Sequence, residues 1–207
     1  MDTRGQGSGW GTGGDTPDPH GSGPAVAGFM TRGITDPHEY FYRRVFTDAV
    51  RLVDAMREFP FVDAARIAVT GGSQGGGIAL AAAGLIPGLR AVMPDVAFLC
   101  DFRHSVEAAM RAPFTEIREY LSVHRDQVDT VFGTLSYFDG VSFARRIDAP
   151  TLMSVALMDE TVPPSGTFAA FNELRVDDRE IEVYGFNGHE GGGLLHWVRQ
   201  ANWLAAR

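Results

Sequence analysis

An α/β fold, built on a mostly parallel sheet with helices on both faces, is the architecture this sequence predicts. Two observations carry that reading. Short runs such as Thr151-Leu-Met-Ser-Val-Ala-Leu157 are apolar throughout, as strands covered on both sides must be, whereas a sheet with one wet face would alternate. Between such runs lie longer segments with apolar residues at helical spacing, and strand followed by helix is the order that parallel crossovers require. With 207 residues, 44% of them hydrophobic, one substantial core can be buried.

Residues 1–65 offer no convincing strand. They read as a glycine- and proline-rich stretch to about Pro24, a short apolar patch, and one amphipathic helix from about His38 to Arg57 with Tyr42, Val45, Phe46, Ala49, Val53 and Met56 on one face. Strands are expected near residues 66–70, 90–94, 151–157 and 181–186, the last alternating like a half-buried strand. From about Asp101 to Ile147 the chain reads as helical, with Phe114, Ile117 and Leu121, then Val128, Val131 and Leu135, at helical spacing. Packing on the sheet accounts for those positions, and a cap-like insertion over the site is the functional alternative. Arg103, Arg111, Glu116 and Arg118 read as a solvated face of it. A closing helix is expected from Leu194 to about Ala206, with Trp197, Val198 and Leu204 as its packing residues. Residues 1–207 thus form a single domain, expected to be incomplete at the N-terminus, because a full sheet of this kind has several strands before residue 66. The first strand would then show an open edge.

The densest chemical signal is Arg66-Ile-Ala-Val-Thr-Gly-Gly-Ser-Gln-Gly-Gly-Gly77. Gly71-x-Ser73-x-Gly75 directly after a strand is the pattern of a nucleophile elbow, whose turn is tight enough to call for glycine two residues either side of the serine. It lifts the hydroxyl clear at the carboxyl edge of the sheet, as in the α/β-hydrolase fold. The helix that follows would aim its N-terminal N–H groups at a developing oxyanion.

The same glycines also suit a dinucleotide site of the short-chain dehydrogenase type, with Asp95 near the position of a ribose-binding acid. That chemistry needs a Tyr-x-x-x-Lys pair, and all 18 basic residues here are arginine. The absence of lysine also removes Schiff-base chemistry and the phosphate-binding loop with its lysine.

An elbow serine needs an acid and a histidine, in that order, on loops after later strands. Asp159 leaves the end of the strand at 151–157, on a loop stiffened by Pro163 and Pro164, and His189 leaves the end of the strand at 181–186 on a glycine-rich loop. Glu160 is the alternative acid, further from the strand end. His196 also follows the acid but falls inside the last helix, where packing or capping is expected; His20, His38, His104 and His124 all precede Asp159. His189-Glu190 is not followed by a histidine at residue 193, and no other spacing suggests metal ligands, so neither a metal nor a cofactor is expected. Cys100 stands alone and reads as a small buried residue.

A net charge of −8 disfavours nucleic acid and anionic membranes as partners. No apolar run approaches the roughly 20 residues of a membrane span, and the default expectation is a cytoplasmic location.

Asp2-Thr-Arg4-Gly5-Gln6-Gly7, Gly71-Gly-Ser73-Gln74-Gly75-Gly76 and His189-Glu190 resemble the three signature motifs of carbohydrate esterase family seven, the acetyl xylan esterases that also act as cephalosporin C deacetylases. The Gly-Asp-Thr-Pro-Asp-Pro-His stretch ending at His20, Phe46-Thr-Asp-Ala-Val50, Asp159-x-x-x-Pro163-Pro-Ser165 and Phe168-Ala-Ala-Phe-Asn172 extend the resemblance along nearly the whole chain. It implies Ser73 as nucleophile, His189 as base, Asp159 as orienting acid and the Gln74 backbone N–H as one oxyanion donor. Arg4, Gly5 and Gln6, with Gly71 and Gly75, would support the site. The implied substrate is a small acetylated carbohydrate or antibiotic ester, and the implied assembly a homo-oligomer. Family members carry roughly a third of their length before the Arg-Gly-Gln motif. A second oxyanion donor, which this fold takes from a loop after its third strand, is therefore expected outside this chain. An inactive incomplete hydrolase and a serine peptidase of the prolyl oligopeptidase type are the competing readings.

Overall fold

The computed structural model describes residues 1–6, 16–20, 25 and 27–207. Gly7 of the first motif, Gly14 and Asp15 of the stretch ending at His20, and much of the glycine-rich segment before Pro24 lie outside the described residues. Four strands, β1 (Ala68–Gly72), β2 (Ala91–Asp95), β3 (Thr151–Ala156) and β4 (Arg179–Tyr184), form one sheet in the order β1-β2-β3-β4, every pairing parallel. α1 (Phe41–Arg57) comes before the sheet and α2 (Gln74–Leu85) crosses from β1 to β2. α3 (Phe102–Ala108), α4 (Phe114–Val123), α5 (Val128–Leu135) and α6 (Gly140–Ala144) lie between β2 and β3. α7 (Pro164–Glu173) crosses to β4, and α8 (Gly193–Ala205) follows it. This is the α/β-hydrolase arrangement over its later strands. Among the described residues β1 pairs only with β2, so its other edge is open.

Alternation along the strands divides the core in two. Val92 and Met153 point into the larger cluster, formed with α1, α2, α6 and α7, while Ala91, Met93 and Leu152 point the other way, onto Trp203 of α8. Crossovers that all step in one direction leave their helices on one face, which is why α2 and α7 share the larger core and only the final helix reaches the second.

α1 buries Phe41, Tyr42, Val45, Phe46, Ala49 and Val53, the expected face, with Met56 half-buried. It begins at Phe41 rather than His38 because the Asp36 carboxylate accepts the His38 N–H and the Asp36 carbonyl accepts those of Glu39 and Tyr40, which closes a turn there. In the segment 101–147, Phe114 packs on Phe98 at 4.5 Å, and the Asp139 carboxylate accepts the backbone N–H groups of Asp101, Phe102 and Val141. Glu116 departs from the expected solvated face: its half-buried carboxylate accepts the N–H groups of Phe29 and Met30, which have no helix or strand to satisfy them.

The closing helix differs most from expectation. Trp197 and Val198 are 64% and 59% exposed, and the face turned to the sheet carries His196, Gln200 and Trp203. His196 packs inside the helix as expected, while apolar counting gives no place to Gln200; here each polar side chain finds a partner. Gln200 donates to the Met93 carbonyl, the Trp203 indole N–H donates to Glu180 at 2.6 Å, and His196 meets the Tyr184 hydroxyl. Leu204 does join the packing against the second cluster. Truncating Trp203 to Ala removes the largest apolar side chain that α8 buries on this face. It should destabilise the protein by about 3–5 kcal/mol in chemical denaturation, against less than about 1 kcal/mol for Trp197→Ala.

Candidate active site

Ser73 sits between the last residue of β1 and the first of α2 with φ 53° and ψ −115°, backbone that non-glycine residues rarely adopt. Three hydrogen bonds hold it there. Its N–H donates to the Asp95 carbonyl at 2.9 Å, and its carbonyl accepts from Gly77 and Phe98 at 3.1 and 3.0 Å. The glycine requirement is asymmetric. A β-carbon on Gly71 would lie 2.5 Å from the Gly75 carbonyl group, whereas one on Gly75 would meet nothing within 4 Å. The tight packing expected of Gly75 falls instead on Gly77, whose β-carbon would come within 2.3 Å of the Phe98 carbonyl oxygen.

The loops after β3 and β4 bring the other two side chains to this hydroxyl. His189 Nε2 is 2.9 Å from Ser73 Oγ, and His189 Nδ1 is 2.8 Å from Asp159 Oδ2. The second oxygen of Asp159 accepts the backbone N–H groups of Thr161 and Val162, both at 2.9 Å, so the carboxylate is fixed with its other oxygen towards the ring. An acceptor at Nδ1 assigns the ring proton there and leaves the Nε2 lone pair for the serine O–H. Glu160 points away and pairs with Arg111 at 2.9 Å. Ser73 and His189 open onto a cleft of about 450 Å³ whose walls include Asp95, Glu190, Leu194 and Trp197, and none of its lining residues comes from 101–147. A serine hydroxyl aligned with a ring nitrogen that a buried carboxylate orients is equipped for nucleophilic attack with general-base help.

The first motif lies under the elbow. Gln6 and Gln74 exchange amide hydrogen bonds at 2.7 and 3.0 Å, and the Gln74 carbonyl oxygen also accepts from the Tyr42 hydroxyl at 2.9 Å. The Gln74 backbone N–H, at the first turn of α2, has no acceptor among the described residues. Arg4 grips Asp48 of α1 with two hydrogen bonds, at 2.6 and 2.8 Å, and reaches Asp18, which Arg44 holds from the other side. Gly5, at φ 70°, carries the chain between the two contacts. Burial pushes the Asp18 carboxyl up, but the hydrogen bonds and charges of Arg44 and Arg4 outweigh it and hold the group below the ordinary range. Hydrogen bonding to Asp48 raises Arg4.

Several contributors gave no signal of their role in the sequence. Tyr42 looks like one more apolar position of α1, and although Asp18 and Asp48 fall in stretches that carry the resemblance, only long-range contact shows their attachment to Arg4 and that of Tyr42 to Gln74. Asp95 had drawn attention for a nucleotide site. Its carbonyl instead anchors the elbow.

The family model for acetyl xylan esterase matches residues 1–207. The chain belongs to this family. It is similar to the acetyl esterase Axe7A of Xylanibacter ruminicola, with 29% identity over 167 residues, 78% of this chain and 36% of that protein. Among solved structures, the acetyl xylan esterase from Paenibacillus sp. R4 superposes with a TM-score of 0.90 and 44% identity, covering 95% of this chain and 63% of that one. Acetyl xylan esterase 1 from Thermoanaerobacterium sp. JW/SL YS485 gives 0.82 and 35%, covering 92% and 62%. The chain thus spans less than two thirds of the length of each of these relatives.

The Asp18 clamp makes the stability of this region pH-dependent in a defined sense. A carboxyl held below its unfolded value contributes fully above that value and loses its contribution as pH falls through the folded one. Asp18→Asn should therefore lower the melting temperature by a constant amount above about pH 5. The gap to the parent should close as the pH falls through and below 3.8, the ordinary aspartate value. A gap that persists unchanged in acid would show that the clamp does not depend on charge.

Proposed function

We propose that this chain carries the centre of a serine esterase. Its substrates would be acetylated xylo-oligosaccharides and related small acetyl esters, including those of the cephalosporin C type, and its route an acyl-enzyme. The observation that carries the reading is the unbroken line from Ser73 Oγ through His189 to the buried Asp159, at 2.9 and 2.8 Å. The acetyl group and the sugar are supported by membership of the acetyl xylan esterase family and by the names that its relatives bear.

The chemistry runs in two halves. Ser73 Oγ attacks the ester carbonyl as His189 Nε2 takes its proton, and Asp159 stabilises the imidazolium that forms. The carbonyl oxygen, now an oxyanion, accepts from the Gln74 N–H, which the amide pair with Gln6 and the Tyr42 hydroxyl hold in place. Collapse expels the sugar alkoxide, which takes the proton from His189, and leaves acetyl on Ser73. Water, deprotonated by the same nitrogen, then attacks the acyl-enzyme and releases acetate.

In the chain fused to the N-terminal segment of a longer relative that supplies the second oxyanion donor, Ser73→Ala should reduce hydrolysis of p-nitrophenyl acetate by at least about three powers of ten while leaving the melting temperature within a few degrees. A fluorophosphonate probe should label the parent chain once, at Ser73, and His189→Ala should slow that labelling by a similar factor. Most of the turnover surviving in Ser73→Ala would remove this serine from the mechanism. The second expectation concerns acyl length: p-nitrophenyl acetate should be cleaved far faster than the octanoate, and the opposite order would assign the site to lipase chemistry.

A further inference from the structure

Behind the Ser73–His189 line lies a second histidine that the acyl-transfer steps do not use. His196, in the first turns of α8, is fully buried. Its Nδ1 is 3.0 Å from the Tyr184 hydroxyl at the end of β4, and its Nε2 is buried without a hydrogen-bond partner among the described residues, 3.9 Å from Asp95 Oδ1 at the end of β2. The groups facing this ring are Tyr184 and Glu182 from β4, Asp95 from β2 and Arg199 from α8 itself. Burial holds the imidazole below its ordinary range against the pull of Asp95, so the neutral ring is the working form near neutral pH. A lone pair aimed at a carboxylate is repelled, so the neutral ring carries its proton on Nε2, towards Asp95, and accepts the Tyr184 O–H at Nδ1.

Each of these partners also belongs to the site. The Asp95 carbonyl fixes the Ser73 amide, its carboxylate accepts from the buried Ser154 hydroxyl, and it lines the same cleft as Ser73 and His189. Tyr184 lies so close over Gly192 that a β-carbon there would come within 2.1 Å of its ring. The His196 N–H donates to the Gly192 carbonyl at 3.2 Å. The loop that presents His189 contains Gly188, Gly191, Gly192 and Gly193, and a glycine-rich loop loses more conformational entropy than any other when it is held still. Its upstream end is tied by Met158 N–H to the Asn187 carbonyl and by Glu190 accepting from Asn187 and Gly188. Its downstream end has the first turn of α8, and there His196 reaches across to two strands.

We propose that His196 is a positioning residue: through Asp95 and Tyr184 it ties the start of α8 to the ends of β2 and β4, and so fixes the loop that presents His189 to Ser73. The proposal rests on the acyl-transfer reading for its kinetic consequence only. At 3.9 Å the Nε2–Asp95 contact is too long for a hydrogen bond. The hydrogen bond in place is the one to Tyr184, and Asp95 acts on the ring through its charge.

The test compares His196→Phe, which keeps a ring but makes no hydrogen bond, His196→Gln, whose amide still donates and accepts, and Tyr184→Phe, which removes one hydroxyl. Two readouts are needed. The proton on His189 Nδ1, bound to Asp159, gives a far-downfield NMR signal whether or not the chain turns over substrate. It should be sharp in the parent chain and in His196→Gln, and broadened or lost in His196→Phe and, more weakly, in Tyr184→Phe. With p-nitrophenyl acetate, kcat should fall about ten- to a hundredfold in His196→Phe with KM changed less than about threefold, and His196→Gln should recover most of the loss. An unaltered downfield signal in a folded His196→Phe overturns the proposal; if that variant does not fold, an unaltered signal in Tyr184→Phe does so. A parent chain that shows the signal but, even with a segment supplying the second oxyanion donor, neither hydrolyses the ester nor takes the fluorophosphonate label refutes the esterase reading instead, and the NMR comparison still decides the role of His196.

Discussion

Parallel register is the constraint on which the site depends. A parallel sheet places all its carboxyl ends along one border, and here Gly72 stands opposite Asp95, Asp95 opposite Ser154, and Ala156 opposite Tyr184. Ser73, Asp159 and His189 are 86 and 30 residues apart in sequence, yet each is the consequence of a strand ending at that border. A slip of one residue in any pairing would reverse the alternation and turn Val92 or Met153 away from the larger core, so hydrophobic burial and catalytic geometry are fixed by the same register. The elbow makes this explicit: its amide is held not by its own strand but by the carbonyl of the neighbour, Asp95.

What the sequence made legible was the part written in local rules. A continuous apolar run marks β3, the glycines around Ser73 mark a turn, and the residues leaving two later strand ends were read as acid and base because the fold imposes that order. The structure brings those three side chains within hydrogen-bond reach of one another. The start of α1 and most of the inward face of α8 were not legible, for a shared reason: polar side chains do there what apolar ones ordinarily do. Asp36 closes a turn with its carboxylate and carbonyl before a helix can begin, and His196 and Gln200 face the sheet because partners from distant segments satisfy them. Periodicity reads hydrophobicity, so it cannot see a buried face built from hydrogen bonds.

The same limit explains the supporting layer beneath the elbow. Arg4 and Gln6, Asp18, Tyr42 and Asp48, and Gln74 come from four separated stretches, and no spacing within any one of them announces the contact. The motif resemblance singled out Arg4, Gly5 and Gln6 without a physical reason. The reason is an amide pair and an arginine clamp that connect the front of the chain to α1 and α2. Because the clamp is charged and the amide pair is not, acid loosens the first and leaves the second.

The polar inner face of α8 bears on the order in which the molecule assembles. Apolar contacts tolerate rotation and sliding, and a helix packed through them can settle early and refine later. Hydrogen bonds weaken steeply with angle, so those of α8 form only once β2 presents Met93 and β4 presents Glu180 and Tyr184 at their final places. Gln200 reaches Met93 across 107 residues, whereas the Tyr184–His196 and Glu180–Trp203 contacts span only 12 and 23. The loop carrying His189 leads directly into α8 at Gly193, so the place of its ring beside Ser73 depends on that docking. An opened α8 would part His189 from Ser73, so the 2.9 Å contact between the two side chains is also a report that the last helix has docked.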